Sequence, residues 1–157
     1  MLVYGRNVAK ELLENGKIVQ KIILQDGFSD KEINSLIEKR KVPVQYKSKR
    51  EIEQMKEACK LTAQVHEVLK EAIRPGISTY ELDQIAEKFI RSNGGIPSEK
   101  NYPSGIPGVP DFPGSICASI NDEIIHGIPS KHAILKEGDV VSFDITAYKN
   151  GFHGDAA

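Results

Sequence analysis

The feature that most constrains this chain lies at residues 140–157, VVSFDITAYKNGFHGDAA. Apolar and polar residues alternate on both sides of Asn150-Gly151, which is the period of a half-buried strand. An Asn-Gly pair favours a two-residue type I′ turn, because both central positions need positive φ. A turn of that length fixes the register, setting Lys149 opposite Phe152, Tyr148 opposite His153, Ala147 opposite Gly154 and Thr146 opposite Asp155. Opposed residues share a face. Asp144, two positions before Thr146, therefore lies on the face of Asp155 and diagonal to it. His153 is read as pointing to the opposite face and is left out of the candidate ligands.

Two carboxylates converging on an apolar strand pair repel each other and cost on the order of several kcal/mol of desolvation unless cations fill the gap. Diagonal neighbours roughly 7 Å apart can extend their oxygens toward two ions about 3.5 to 4 Å apart, the spacing of paired catalytic metals. From spacing alone a second reading stands beside this one, in which both aspartates face solvent on an open sheet.

Upstream, KREIEQMKEACKLTAQVHEVLKEAI reads as a long helix whose inward residues are Ile52, Met55, Cys59, Thr62, Ala63, Val65, Leu69 and Ile73. Arg74-Pro75-Gly76 ends it. Ser78 and Thr79 begin a second helix, which turns Leu82, Ile85, Ala86, Phe89 and Ile90 inward and stops at Asn93-Gly94-Gly95. A loop rich in proline and glycine follows at 97–114 and leads into a strand at Ser115 to Ile120. The stretch SICASINDEIIHGIP then places His126 in a Gly127-Ile128-Pro129 loop, where a rigid backbone can present an imidazole to a reaction centre.

The first 47 residues have a different grammar: LVY at 2–4, a helix on Asn7 to Glu14, VQKIIL at 19–24, a helix on Asp30 to Lys39, and VPVQY at 42–46. This β-α-β-α-β order predicts a small parallel α/β unit with Asp30 capping the second helix. Charge changes sign along the chain. Residues 1–50 hold 11 Lys+Arg against 6 Asp+Glu, whereas residues 51–157 hold 10 against 16, within a total net charge of −1. A basic segment suits RNA or phosphate, although scattered charges of this kind are more often a solvated face.

No apolar run is long enough to span a membrane, and the amino terminus lacks a secretory pattern, so a cytoplasmic protein with no membrane partner is expected. Cys59 and Cys117 match no zinc spacing and are read as reduced thiols.

The order SICASINDEIIHGIP, LKEGDVVSFDI and NGFHGDAA, with KSKREIEQMKEA, IRPGISTYELDQIAE and IPS, closely resembles the amino-terminal half of type I methionine aminopeptidases over residues 48–157. The resemblance implies a two-metal enzyme that removes amino-terminal methionine from nascent proteins. In it, Asp144 and Asp155 match the first two metal carboxylates, Asp144 chelating one ion and Asp155 bridging both. His126 matches a histidine that stabilises the transition state. Cys117 and Phe112 match the methionine pocket, with Tyr102 a further candidate in a loop lengthened by PSGIPGVPD. Cobalt, manganese, iron, zinc and magnesium all suit aspartate oxygens. The family's remaining histidine and two glutamates have no counterpart before Ala157, so the expectation is a truncated metallo-exopeptidase site holding ions weakly.

YGRN at 4–7, IVQKIILQDG at 18–27 and VPVQY resemble the substrate-binding domain of SpoU-family RNA 2′-O-ribose methyltransferases. That implies RNA as a second possible partner and does not imply methyl transfer. The expected fold is α+β: a leader at 1–47, then at 48–157 two helices on an antiparallel sheet, corresponding to half of the pita-bread fold. Two alternatives accompany the peptidase reading. One is a non-enzymatic RNA-binding module built on residues 1–50; the other is a chimeric fragment that self-associates through its exposed sheet.

Overall fold

The computed structural model describes residues 10, 13–14, 22–25, 28–41 and 44–157. In chain order these form β1 (Ile22–Gln25), α1 (Lys31–Arg40), β2 (Val44–Lys47), α2 (Lys49–Ala72), α3 (Thr79–Ser92), β3 (Ile96–Pro97), β4 (Cys117–Ile120), β5 (Val141–Lys149) and β6 (Phe152–Ala156). The chain divides into two compact units, Met1–Ile52 and Glu53–Ala157.

In the first unit, β1 and β2 pair in parallel from Ile22 opposite Val44 to Gln25 opposite Lys47. Helix α1 connects them. Its start is set by Asp30, whose Oδ1 accepts the Glu32 and Ile33 N–H groups, each at 3.1 Å, and so satisfies two donors that a helix end leaves free. Lys41 closes it in the left-handed region at φ 53°. Leu13 and Ile33 are buried. The expected strand at 2–4 and most of the expected helix on Asn7 to Glu14 lie outside the described residues.

In the second unit, β5 is the hub and pairs antiparallel with β3, β4 and β6. The turn joining β5 to β6 carries Asn150 at φ 53° and Gly151 at φ 89°, the geometry expected of the pair. Alternation along β5 sorts its side chains: Phe143, Ile145 and Ala147 are buried, while Asp144 and Thr146 are half-buried and Ser142 and Tyr148 exposed. The buried row packs with Leu61, Val65 and Leu69 of α2, Leu82, Ala86 and Ile90 of α3, and Ile116 and Ala118 at β4. These residues form a core of two helices against one sheet face.

Helix α2 turns a stripe slightly different from the expected one. Ala58 and Leu61 are buried with Thr62, Val65 and Leu69, whereas Ala63 is exposed and Ile73 is 39% exposed. A helix advances 100° per residue, so the true face runs through 58, 61, 62, 65 and 69, and Ala63 falls beside it. Helix α3 begins with a capping box between Ser78 and Glu81. It buries Asp83, whose carboxylate accepts the N–H groups of Ser115 and Ile116 and fixes the entry into β4. Burial pushes the Asp83 carboxyl above its ordinary value, and those two N–H bonds oppose the rise.

Gly154 of β6 shows why one position in the hairpin has no side chain. A Cβ there would fall inside van der Waals contact of the Ala58 backbone. Thr62 of α2 donates its hydroxyl to the Gly154 carbonyl at 2.7 Å. Strand and helix thus meet main chain to main chain.

Candidate active site

The face of the sheet turned away from the helices carries the candidate residues. Pairing sets Cys117 opposite Asp144, Thr146 opposite Asp155 and Tyr148 opposite His153. Cross-strand partners share a face, so Cys117, Asp144, Thr146, Tyr148, His153 and Asp155 form one surface. The two aspartates are diagonal neighbours on it.

His153 corrects the sequence reading. Residues 153 and 155 are two apart on one strand and point the same way. The His153 ring lies 4.8 Å from that of Tyr148, between centroids, and its Nδ1 is 2.9 Å from the Ser98 hydroxyl oxygen. It thus stands on the surface of Asp155, with one ring nitrogen already engaged.

A residue that sequence reasoning passed over adds a third acid. Glu99, just beyond β3, accepts the Thr146 N–H through Oε1 at 2.6 Å, while its Oε2 is buried without a hydrogen-bond partner. Burial pushes its carboxyl up to about 7, against the hydrogen bond from Thr146, and the negative charge of Asp144 adds to the rise. The Cys117 thiol is buried beside these groups. Burial first, then the charges of Asp144 and Glu99, push it up to about 12, so it stays a neutral thiol. Its character is that of a soft wall rather than a nucleophile. The signal for Glu99 was present in IPSEKNY, but a single glutamate beside a proline-rich loop carries no spacing that announces burial.

His126 sits in the left-handed region at φ 58° and is exposed. The next residue, Gly127, packs on β4. Its N–H donates to the Ser119 hydroxyl at 3.1 Å, its carbonyl accepts from Ala118, and a Cβ there would overlap the Ala118 backbone. A loop anchored so closely holds the His126 backbone on the sheet, in a conformation that non-glycine residues seldom adopt. In the long loop, Asn101 donates to the Phe112 carbonyl at 2.9 Å and Phe112 to the Tyr102 carbonyl at 3.0 Å, pinching its base. Phe112 is half-buried and Tyr102 is 67% exposed.

Among the described residues, no three His, Cys, Asp or Glu side chains form a group that could hold a metal ion. The acids present nonetheless suit one. Asp144 and Asp155 offer oxygen donors on one face, and among the described residues no Lys or Arg forms an ion pair with either. Hard divalent cations take such oxygens, though two carboxylates are a partial donor set. Neither Cys59 nor Cys117 forms a disulfide, and among the described residues no helix is long and apolar enough to cross a membrane.

Two helices lie behind a sheet whose outer face displays Asp144 and Asp155, and the class with which this arrangement agrees is that of the metallopeptidases. Residues 53–157 match the model of metallopeptidase family M24, and the chain belongs to that family. It is 52% identical over 111 residues to methionine aminopeptidase 1 of Bacillus subtilis, covering 71% of this chain and 42% of that protein. It is 48% identical to the methionine aminopeptidase of Clostridium acetobutylicum, with the same coverage. Among solved structures, the methionine aminopeptidase of Rickettsia prowazekii superposes with a TM-score of 0.63 at 34% identity, over 69% of this chain and 41% of that one. The fold is accordingly α+β of the pita-bread kind, and the chain spans about 42% of the length of the curated relatives it matches. Residues 2–61 match a second model, RNA 2′-O ribose methyltransferase substrate binding, which overlaps the first at 53–61.

Proposed function

We propose that this protein serves the metal-dependent removal of an amino-terminal methionine, with residues 53–157 contributing one wall of the active site. The observation that carries the reading is the shared face of Asp144 and Asp155, set by the register of the β5–β6 turn. In this reading Asp144 and Asp155 would hold the divalent ions through their carboxylate oxygens. When bound, such ions lower the pKa of a water and polarise the peptide carbonyl. Other residues of this wall add to the carboxylates. Neutral Cys117, together with Phe112 and Tyr102, receives the methionine side chain, a soft surface for a soft thioether. His126 donates a hydrogen bond to charge developing at the scissile amide. Nothing in this face selects among cobalt, manganese, iron, zinc and magnesium, all of which accept carboxylate oxygen.

The test is hydrolysis of a Met-Ala-Ser peptide with added cobalt or manganese, followed as free methionine. The expected result is metal-dependent release that Asp144→Ala abolishes. Equal background rates in the two proteins reject an enzyme that is active in this chain alone.

A second reading has its own observation, the match of residues 2–61 to an RNA-methyltransferase substrate-binding model. It assigns RNA contact to the basic leader. Binding of structured RNA that weakens with salt and disappears when residues 1–47 are deleted supports it. No binding at low salt dismisses it.

A further inference from the structure

We infer that Thr146 is a positioning residue for Asp155, holding its carboxylate in place before any ion arrives; the inference rests on the metal reading above. Thr146 lies directly opposite Asp155 and two residues after Asp144, so its side chain stands between the two acids on the same face. Its hydroxyl donates to Asp155 Oδ1 at 3.2 Å. Among the described residues it is the one hydrogen-bond donor to either carboxylate.

Two features make that hydroxyl a fixed donor rather than an incidental one. The main chain of Thr146 is held through both of its polar groups by one segment, because its N–H donates to Glu99 Oε1 at 2.6 Å and its carbonyl accepts the Ser98 N–H at 2.9 Å. Threonine is branched at Cβ, so once the backbone is fixed few χ1 angles remain and Oγ1 has little freedom. Asp155, by contrast, is exposed, and an exposed aspartate with no partner samples several rotamers, whose loss must be offset when an ion binds. Ordering the side chain beforehand removes that loss.

The arrangement is also compatible with coordination. An ionised carboxylate offers about four lone-pair sites, so one hydroxyl bond to Oδ1 leaves the remainder open to cations. Among the described residues Asp144 has no such donor, and the two acids therefore differ: one is oriented by a neighbour, the other is left to be oriented by what it binds. The segment Ser98-Glu99 acts one step further back, by pinning the backbone that carries the donor.

Two substitutions separate the hydroxyl from the shape of the side chain. Thr146→Val keeps the branching and the strand preference and removes the donor, while Thr146→Ser keeps the donor and removes the methyl. Manganese uptake is followed by the electron paramagnetic resonance of free Mn²⁺. The expected result is affinity weakened about tenfold or more in the valine variant and within about threefold of wild type in the serine variant, the range found for outer-shell partners of metal ligands. Thermal melting should be the same in all three proteins. A second, metal-free readout is the pair of Hα–Hβ couplings of Asp155, which should report one rotamer in wild type and the serine variant and averaging in the valine variant. A valine variant that binds Mn²⁺ as wild type does, or that keeps a single Asp155 rotamer, overturns the proposal. If Asp155→Asn leaves Mn²⁺ uptake unchanged, the metal reading of the face fails instead, and the rotamer measurement still decides the role of Thr146.

Discussion

The two faces of the β5–β6 hairpin share one backbone and one turn, yet they are built by opposite rules. On the inner face Phe143, Ile145 and Ala147 are buried and Gly154 meets the α2 main chain, so shape decides what fits. On the outer face Asp144, Thr146, His153 and Asp155 are exposed or half-buried and are connected through hydrogen bonds and charge. Because a strand alternates strictly, the inner row fixes where every outer residue must stand. The core therefore does the aiming: packing that shows no chemistry determines which polar groups converge. Substitutions on the two faces should accordingly separate, one class read out in stability and the other in binding.

The sharpest way to break that contrast is Gly154→Ala. The added Cβ collides with backbone, which cannot rotate away as a side chain can, so β6 must lift from α2 and strain the Thr62 bond to the Gly154 carbonyl. A loss of about 3 kcal/mol is expected, at the upper end of overpacking costs, measured as the shift in urea midpoint. A tolerated alanine would show that the contact between strand and helix is not what sets the hairpin in place.

Next in size is Asp83→Ala, a buried acid on the inner side. Alanine leaves the Ser115 and Ile116 N–H groups buried without an acceptor, at a cost of about 2 kcal/mol. Both donors use the same carboxylate oxygen, so Asp83→Asn keeps an acceptor in place and should lose less. Equal losses for alanine and asparagine would mean that charge rather than the acceptor atom matters at this position.

What the sequence made legible follows the same division. The hairpin register, the parallel pairing of β1 with β2, the Asp30 cap and the start of α3 at Ser78-Thr79 all depend on local periodicity or on a few turn and cap residues, and each is found as expected. The metallopeptidase family was visible in the motifs around His126, Asp144 and Asp155, and the family match bears out the membership. The side assigned to His153 was wrong, although period-two counting from Asp155 was enough to place it. Glu99 and Asp83 were illegible for a different reason. Each is a lone acid whose burial is created by elements distant in sequence, β5 for one and the start of β4 for the other. No local pattern encodes such a contact. The inner stripe of α2 was misplaced around Ala63 because a long helix with many small apolar residues admits neighbouring faces.

The finest probe of the contrast is Glu99, which belongs to the outer face in its contacts but to the inner one in its burial. Its carboxyl is held at about 7 in the folded protein, above the ordinary 4.5, so between those values the folded chain keeps a proton that the unfolded chain has released. Stability then falls as pH rises through that window and levels off above it, because the unfolded state binds fewer protons there. Glu99→Gln retains an oxygen to accept the Thr146 N–H and carries no charge at any pH. In metal-free buffer with a chelator, its urea midpoint should therefore decline less than that of wild type between about pH 5 and 8, with the two proteins nearest in stability at the acid end. The slope that Asp83 contributes remains in both proteins, since burial raises that carboxyl as well. An unchanged slope in the glutamine variant would place the Glu99 carboxyl in effective contact with water, and the outer face would then be polar throughout, with no acid tied to the folding of the strands beneath it.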